Sequence, residues 1–559
     1  MPTAGLLAVT ELVDRVGVLG ALDEAVGPIK QRARGLTGGE FLVGLACAQL
    51  AGEDYLVGLD RRRADVAGGV LAPVPTAPST TAATLAKRFD TGKWRAVETA
   101  VGKIAGRVIG HVGEPRRETL LASPTLDLDA TDVEVYGSRK QGVAYNYKGQ
   151  RAGRPHLATW AEAGIVLAAD LLAGDEDPRA GVVDLLNRAL AGLAATAEPH
   201  GGHGRVRVRG DIGYFTKDLA GAVIDAGADF AIGANRNPAT WQAAASVPED
   251  AWTDADGMPG AQVAVADYAP GGWPAGTRCL IRRVRHDATA ISADPRARRR
   301  GTIPADQLTL ALDGDIEQVW AYSFIVTNLD ITTADKARAV ECWYRHRTDI
   351  EDRIRDAKHG AALRHLPSGN RAVNTAWMWG ALLAINLSAW LHELAGLDHG
   401  NGYGRAHLAR LRRELICIPG RVTRHARRIT LRLPAESNLL AEALARIRHR
   451  GHAIIEQVHA DLKHAALAHL PSGKFAANAA WLVLAVMAFN LTRAAATITG
   501  PGLAKATTAT IRRKLISVPA RVASSARRVT LHLPTAWPWA SAWTELFTRV
   551  CGPPPAPTT

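Results

Sequence analysis

The sequence predicts an α/β protein. A mixed sheet flanked by helices follows a helical N-terminal domain, is interrupted by a β-rich insertion, and precedes a helical C-terminal module that occurs twice. Three observations carry this prediction. Apolar residues recur at helical spacing up to about residue 115, then give way to alternation at Thr125-Leu126-Asp127-Leu128-Asp129 and Arg205-Val206-Arg207-Val208-Arg209. Residues 236–322 are rich in Pro, Gly and Asp and carry Trp241, Trp252, Trp273 and Trp320 among short alternating runs. The stretch from Ile350 to Leu431 is echoed from Ile455 to Leu531. These changes divide the chain at 1–118, 119–235, 236–322, 323–447 and 448–559.

The N-terminal elements come first. Leu6 to Leu22 has helical periodicity. Thr37 and Glu40 form a capping-box pattern that opens a helix to Leu50. Arg61-Arg62-Arg63 and a Pro-rich turn at 73–78 follow. Ser79-Thr80-Thr81 is expected to cap a short helix carrying Lys87 and Arg88, with Lys93, Trp94 and Arg95 after it. Helix, turn and basic helix suit a helix-turn-helix on DNA, with Lys87 and Arg88 as contacts. They equally suit an ordinary small helical domain.

In the central region Leu126 and Leu128 face one side of a strand, and Asp127 and Asp129 the other. Ala130-Thr131-Asp132 follows. A carboxylate at the end of a buried strand is costly unless paired or bound to a cation; a turn-capping Asp is the common alternative. Strands are expected at 143–148, 155–161 and 164–172, and an amphipathic helix at 178–193. The run Gly210-Asp211-Ile212-Gly213 turns the next strand into a helix at 216–226. Asp211 then sits at the carboxyl end of a strand, where open α/β sheets place ligands. Gly-Asp-x-Gly alone is more often a plain turn. A strand at 228–233 leads to the insertion, with strands at 262–266 and 278–284 and a basic loop at 294–300. A strand at 324–328 returns to the core, and the next helix starts near Thr332 or Thr333.

That helix carries the densest chemistry, from Tyr344 to Lys358. At about 100° per residue, Tyr344, Arg347, Glu351 and Lys358 fall within roughly 60° of one another. One face would present a phenol, a guanidinium, a carboxylate and an ammonium. A solvated charged helix is the plain reading of such a run; a phosphodiester held beside a metal ion is the functional one.

The tail repeats in units of about 100 residues, and two copies are too few for a solenoid. In the second copy His449 and His452 stand where Tyr344 and Arg347 would align, while Glu456 and Lys463 keep the Glu and Lys.

The chain has 559 residues, 47% of them hydrophobic, enough for several cores. Its net charge of +13 favours a polyanionic partner, nucleic acid first. Five scattered Cys without a C-x-x-C pair argue against a disulfide framework or a zinc ribbon and fit a reducing cytoplasm. No signal-peptide pattern opens the sequence. The apolar run from Phe475 to Asn490 is too short and punctuated for a membrane span, so no membrane partner is expected. No Gly-x4-Gly-Lys-Ser/Thr loop supports ATP use. His399-Gly-Asn-Gly-Tyr-Gly404 follows a helix and reads as a linker, and His200-Gly-Gly-His203 as a loop.

Three acids brought together would repel one another unless divalent cations lay between them. Two Mg²⁺ ions about 3.5–4 Å apart can activate a water or 3′-OH and stabilise the leaving oxygen of a phosphodiester. The spacing Tyr-x2-Arg-x3-Glu-x6-Lys, with the order strand Asp, strand Asp, insertion, helix Glu, resembles DDE transposases of bacterial insertion sequences. It looks like the group called thirteen-eighty, with residues from about 120 to 435 carrying the match. The resemblance implies an RNase H-like core with Asp129, Asp211 and Glu351 as catalytic acids and ligands of Mg²⁺ or Mn²⁺; Asp127 and Asp132 remain alternatives for the first acid. It implies double-stranded DNA, transposon ends and target, as partner, and a homodimer on paired ends. Nicking to a 3′-OH, often a hairpin, and strand transfer would follow. Tyr344, Arg347, Lys358 and the flanking Arg355 would hold DNA phosphates, and Trp320 would stack on a displaced base. The protein would be cytoplasmic, associated with the nucleoid. A transposase-derived protein that binds DNA ends without cutting, as a repressor of transposition, is the competing function, kept open by the duplicated tail.

Overall fold

A computed structural model describes residues 1–32, 34–397, 407–425, 428–434, 438–463, 467–504, 506–525, 528–535 and 537–552. The glycine-rich run from His399 to Gly404 lies outside them. So do the side chains of His449, His452 and Glu456. The chain divides into two units, Met1–Arg448 and His449–Thr559.

The first unit is built on one large mixed sheet. Its strands are β1 (Thr125–Ala130), β2 (Val133–Glu134), β3 (Ala144–Tyr145), β4 (Arg151–Trp160), β5 (Ile165–Ala173), β6 (Arg207–Gly210), β7 (Asp229–Gly233), β8 (Thr253–Asp254), β9 (Ala261–Ala266), β10 (Arg278–Asp287) and β11 (Gln318–Thr327). β5, β4 and β1 run antiparallel, and β6 and β7 continue parallel to β1. β11, β10, β9 and β8 extend the same sheet in antiparallel fashion from β7. β2 and β3 pair with the outer half of β4. The region read as a separate insertion is therefore a lateral extension of the central sheet. β11 is one strand straddling the expected boundary at 322. Pairing of Ile232 with Val326 joins segments that local periodicity cannot relate.

Helices cover the sheet. Thr91–Gly110 and Val182–Ala197 cross closely because both present glycine. A Cβ at Gly102 would lie 2.6 Å from the Gly192 carbonyl oxygen, and Thr196 donates to the Gly102 carbonyl at 2.9 Å. Arg371–Ala395 is buried along its length, with Trp377 and Trp379 inside. Its Gly380 leaves room for Gln49, which donates to the Trp377 carbonyl at 3.0 Å. Asn386 donates to the Val166 carbonyl and accepts from the Val166 N–H, at 2.9 and 2.8 Å, closing part of the open edge of β5.

The capping box at Thr37 and Glu40 is present, and Thr333 caps the helix Ala334–Arg345. Other expectations are corrected. The run from Leu6 to Leu22 breaks at Gly17, which turns left-handed at φ 63° and separates Leu6–Val16 from Val18–Val26. Helix Ser79–Ala86 has Pro78 as its N-cap residue and no side-chain cap, and it stops before Lys87 and Arg88. The helix from Tyr344 to Lys358 is not continuous. A 3₁₀ turn at His346–Thr348 precedes Asp349–Arg355, and a π turn at Asp356–Gly360 follows.

The repeat is also a repeat of structure. In each copy an Asn side chain closes the Leu-Pro-Ser-Gly turn: Asn374 accepts from the Ser368 N–H at 2.9 Å, and Asn478 from that of Ser472 at 3.1 Å. The π turn Arg412–Ile416 and the hairpin Arg421–His425/Arg428–Arg432 recur as Arg512–Ile516 and Arg521–Ser525/Arg528–His532. In the second unit Phe475–Ile498 forms a helix of 24 residues, by length and composition sufficient to cross a membrane. It extends eight residues past Asn490, where the apolar run closes. Its counterpart Arg371–Ala395 is a buried core helix, so its apolar character is that of the repeated module.

Candidate active site

β1 delivers Asp127 and Asp129, and β6 ends one residue before Asp211. The parallel register that pairs Asp127 with Arg209 and Leu128 with Gly210 continues to set Asp129 beside Asp211. Glu351 comes from the helix Asp349–Arg355. Burial pushes the Asp129 carboxyl up to about 7; the charges of Asp211 and Glu351 act in the same direction and Arg347 opposes them. Burial alone would lower the Arg347 pKa, but Tyr344, Asp211, Asp129 and Glu351 together hold it above its ordinary value. Its guanidinium lies 3.7 Å from Glu351. One cation is thus shared by all three predicted acids.

The competing carboxylates are engaged elsewhere. Asp127 is buried and accepts from Arg209 Nε and Nη2 at 2.6 and 2.8 Å. Burial raises it to about 6 against the pull of Arg209. Arg209 also donates to the Trp343 carbonyl, tying β1 and β6 to the helix Ala334–Arg345. Asp132 accepts from Arg154 at 2.7 Å and from Asn146 at 2.8 Å. Asp132 also lines the cleft, but its oxygens are held by Arg154 and Asn146, whereas Asp129 faces the cleft without an ion-pair partner of that kind.

Asp129 and Asp211 line an open cleft of ≈ 690 Å³ whose walls also carry Lys148, Arg154, Arg179, Arg298 and Lys358. Among the described residues no three His, Cys, Asp or Glu side chains already close on one metal position. The donors nevertheless suit a hard cation. Asp129 has one oxygen on the Ala130 N–H and Asp211 one on the Gly213 N–H, both at 2.8 Å. What they offer to the cleft is carboxylate oxygen with no thiolate or imidazole beside it, the donor type of Mg²⁺ or Mn²⁺.

The family described as "Transposase DDE domain group 1" matches residues 2–293, 315–452 and 441–552. The chain belongs to this transposase family. The last matched segment covers the second copy of the repeat. No curated protein matches the chain at a significant level. Among solved structures, a cryo-EM structure of the piggyBac transposase synaptic complex with hairpin DNA aligns at 10% identity. The alignment spans 82% of this chain and 85% of that one, with a TM-score of 0.34.

The remaining predicted residues of this DDE-domain chain take varied places. Lys358 lines the cleft and donates to the Asp132 carbonyl at 2.8 Å. Tyr344 is half-buried, its hydroxyl donating to the Gly210 carbonyl at 3.0 Å. It supports the strand end that carries Asp211. A Cβ at Gly233 would meet that hydroxyl and the Ile212 nitrogen, each at 2.9 Å, so glycine is required there. Arg355 is on the surface, paired with Asp352. Arg88 lines a separate cavity of ≈ 880 Å³ with Lys30, Arg32, Arg34 and Lys93, and Lys87 is exposed next to it in sequence. Trp320 holds the Arg283 guanidinium 4.3 Å from its ring, with Trp252 at 4.2 Å on the same cation; it does not line the acid cleft. His200 and His203 bond backbone carbonyls at 2.8 Å, as loop residues do.

Sequence reasoning missed Arg209 as the clamp on Asp127. Alternation puts Arg209 on the same face as Asp211, but its pairing with Asp127 depends on β1 and β6 being neighbours. Sequence reasoning also missed Arg179 on the cleft wall, which no local pattern marks, and gave no role to Arg298, which belongs to the basic loop at 294–300.

Proposed function

We propose that this chain is the transposase of a bacterial insertion sequence of the thirteen-eighty group, cutting transposon ends and joining them to target DNA. The observation that carries the reading is the gathering of Asp129, Asp211 and Glu351 around Arg347 at the carboxyl ends of β1 and β6. The order β5-β4-β1-β6-β7, antiparallel on one side of β1 and parallel on the other, supports an RNase H-like core. Asp129, Asp211 and Glu351 would hold two divalent cations, Mg²⁺ or Mn²⁺. Bound there, they supply an activated water or 3′-OH and stabilisation of the leaving oxygen.

The chain's own residues do the positioning. Arg209 fixes Asp127 and keeps β1 and β6 in register; Tyr344 holds the Gly210 carbonyl and so the start of the Asp211 turn. Lys358, Lys148, Arg179 and Arg298 line the path of a DNA backbone and screen the acids from its phosphates. Residues 1–118 serve as the helical DNA-binding domain, with Lys87 and Arg88 beside a basic cavity. The protein works in the cytoplasm on nucleoid DNA, as a homodimer on paired ends. The alternative, binding ends without cutting, draws its support from the duplicated tail.

The test is cleavage of duplexes carrying the element's terminal repeats. Product is expected with Mg²⁺ or Mn²⁺, none with EDTA, and none from Asp129→Asn, Asp211→Asn or Glu351→Gln. Cleavage undiminished under chelation would remove the reading. Specific end binding by a wild-type chain that never cuts would favour the repressor.

A further inference from the structure

Three tyrosines of the segment after β1 have no place in a core, and one of them, Tyr147, lines the acid cleft. Tyr136, Tyr145 and Tyr147 are 89%, 69% and 85% exposed, the first following β2 and the others in and after β3. Isolated exposed aromatics need no explanation, but these stand on a fixed support. Asn146, between two of them, is 5% exposed and organises the turn. Its side-chain oxygen accepts from the N–H groups of Lys148 and Gln150 at 3.0 and 2.9 Å. Its amide donates to Asp132 at 2.8 Å. Asp132 is in turn held by Arg154, and its carbonyl by Lys358. Gly149 supplies the positive φ, 72°, that the turn needs. The rings flanking Asn146 are thereby held out from a turn tied to the residue three places after Asp129.

Charge selects the partner. Between Val135 and Arg151 the sequence has Arg139, Lys140, Lys148 and Arg151 and no acid. Tyr147 and Lys148 line the cleft itself, with the Lys148 ammonium 5.3 Å from the Tyr147 ring. Aromatic faces interleaved with cations suit a nucleic-acid strand. Inside a duplex the base faces are buried in the stack, so away from its ends an aromatic face can stack only on a base that has left it.

We propose that Tyr145 and Tyr147 form a stacking platform for unpaired bases of the DNA strand whose backbone crosses the acid cleft, with Lys148 holding a phosphate beside them. This rests on the DNA-binding part of the function proposed above. It places base stacking at the cleft mouth and not at Trp320, whose ring is already engaged by Arg283.

The test uses the full chain in EDTA and two labelled duplexes of equal length, one fully paired and one with three unpaired nucleotides at an end. Fluorescence anisotropy should show tighter binding of the unpaired-end probe by the wild type. The Tyr145→Ala/Tyr147→Ala double variant should lose about tenfold or more on that probe and little on the paired one. The Tyr145→Phe/Tyr147→Phe variant should keep the preference. 2-Aminopurine at the unpaired positions should be quenched by wild type and by the Phe variant, and remain bright with the Ala variant. Equal affinities for the two probes in the wild type would overturn the proposal. So would a preference that survives in the Ala variant, or equal weakening on both probes. A chain that cuts ends with Mg²⁺ but shows no tyrosine-dependent preference loses this inference alone. A chain that shows the preference but never cuts loses only strand cleavage.

Discussion

Asp127 and Asp129 stand two residues apart on one strand face, and opposite outcomes are expected when each loses its charge. Asp127→Asn removes one partner of a buried bidentate ion pair and leaves the Arg209 guanidinium, itself only 2% exposed, without its counter-charge. Breaking such a pair costs about 3–5 kcal/mol. Burial raises both carboxyls, but Asp129 accepts from the Ala130 N–H and not from a buried guanidinium, so neutralising it strands no charge. Its carboxyl is pushed up to about 7 from the ordinary 3.8. As pH rises from about 4 to 7, the unfolded chain loses this proton while the folded chain retains it, so folding is progressively disfavoured and the penalty is complete above 7. At about 1.36 kcal/mol per tenfold in proton affinity, the upper bound is on the order of 4 kcal/mol. Asp129→Asn should therefore stabilise the metal-free protein at pH 8 and leave it nearly unchanged at pH 4. Urea unfolding in EDTA at the two pH values, beside a cleavage assay with Mg²⁺, measures both quantities. Asp127→Asn should be less stable at neutral pH; Asp129→Asn should be more stable and inactive. An Asp129→Asn protein that still cuts, or an Asp127→Asn protein of wild-type stability that does not, would refute the assignment of the first acid.

Four more outcomes are expected. Lys358→Ala should reduce the salt slope of DNA binding by about one. Arg347→Ala, whose side chain is only 16% exposed among the acids, should lower cleavage far more than binding; a nick-formation time course beside the salt titration separates the two. Gly233→Ala should push Tyr344 and the Asp211 turn apart, costing about 1–3 kcal/mol and most of the cleavage; thermal unfolding with the cleavage assay checks it. Glu456→Gln should leave cleavage near wild type, while a chain ending at Arg448 should unfold at close to the wild-type temperature, since Leu440, Ala443 and Ile447 remain in its core; circular dichroism melting tests the second part.

The positions of the candidate acids were more legible in the sequence than the architecture around them. Asp129 and Asp211 were legible because alternation marks a strand and its end within five or six residues. Glu351 was legible because its neighbours share a helical face, even though a 3₁₀ turn at His346–Thr348 interrupts that helix. The role of Tyr344 was not legible: a wheel places a phenol on a face, but its bond to Gly210 depends on a strand more than a hundred positions earlier in the chain. Arg209 and Asp127 pair across 82 residues, which requires knowing that β1 and β6 are neighbours. The same difficulty hid the sheet extension, because short strands at 261–266 and 278–287 look alike whether they form a separate domain or join β7. Gly17 was read as a helix residue because apolar periodicity on both sides outweighed it; its left-handed backbone decided otherwise.

The pairing of β7 with β11 also sets a clock on synthesis. β1, β4, β5, β6 and β7 are all made before residue 234, yet the flank of β7 stays open until β11 emerges almost a hundred residues later. Glu351 follows 140 residues after Asp211. At roughly 5–20 residues per second, the nascent chain carries two of its three candidate acids for roughly 7–28 s before the third exists. During that interval the half-built sheet has an unpaired parallel strand at its border, the kind of edge that recruits other strands. A ribosome-bound fragment ending before residue 318 should therefore be unable to cut DNA and prone to self-association; completion of β11 should end the second condition, and the arrival of Glu351 the first.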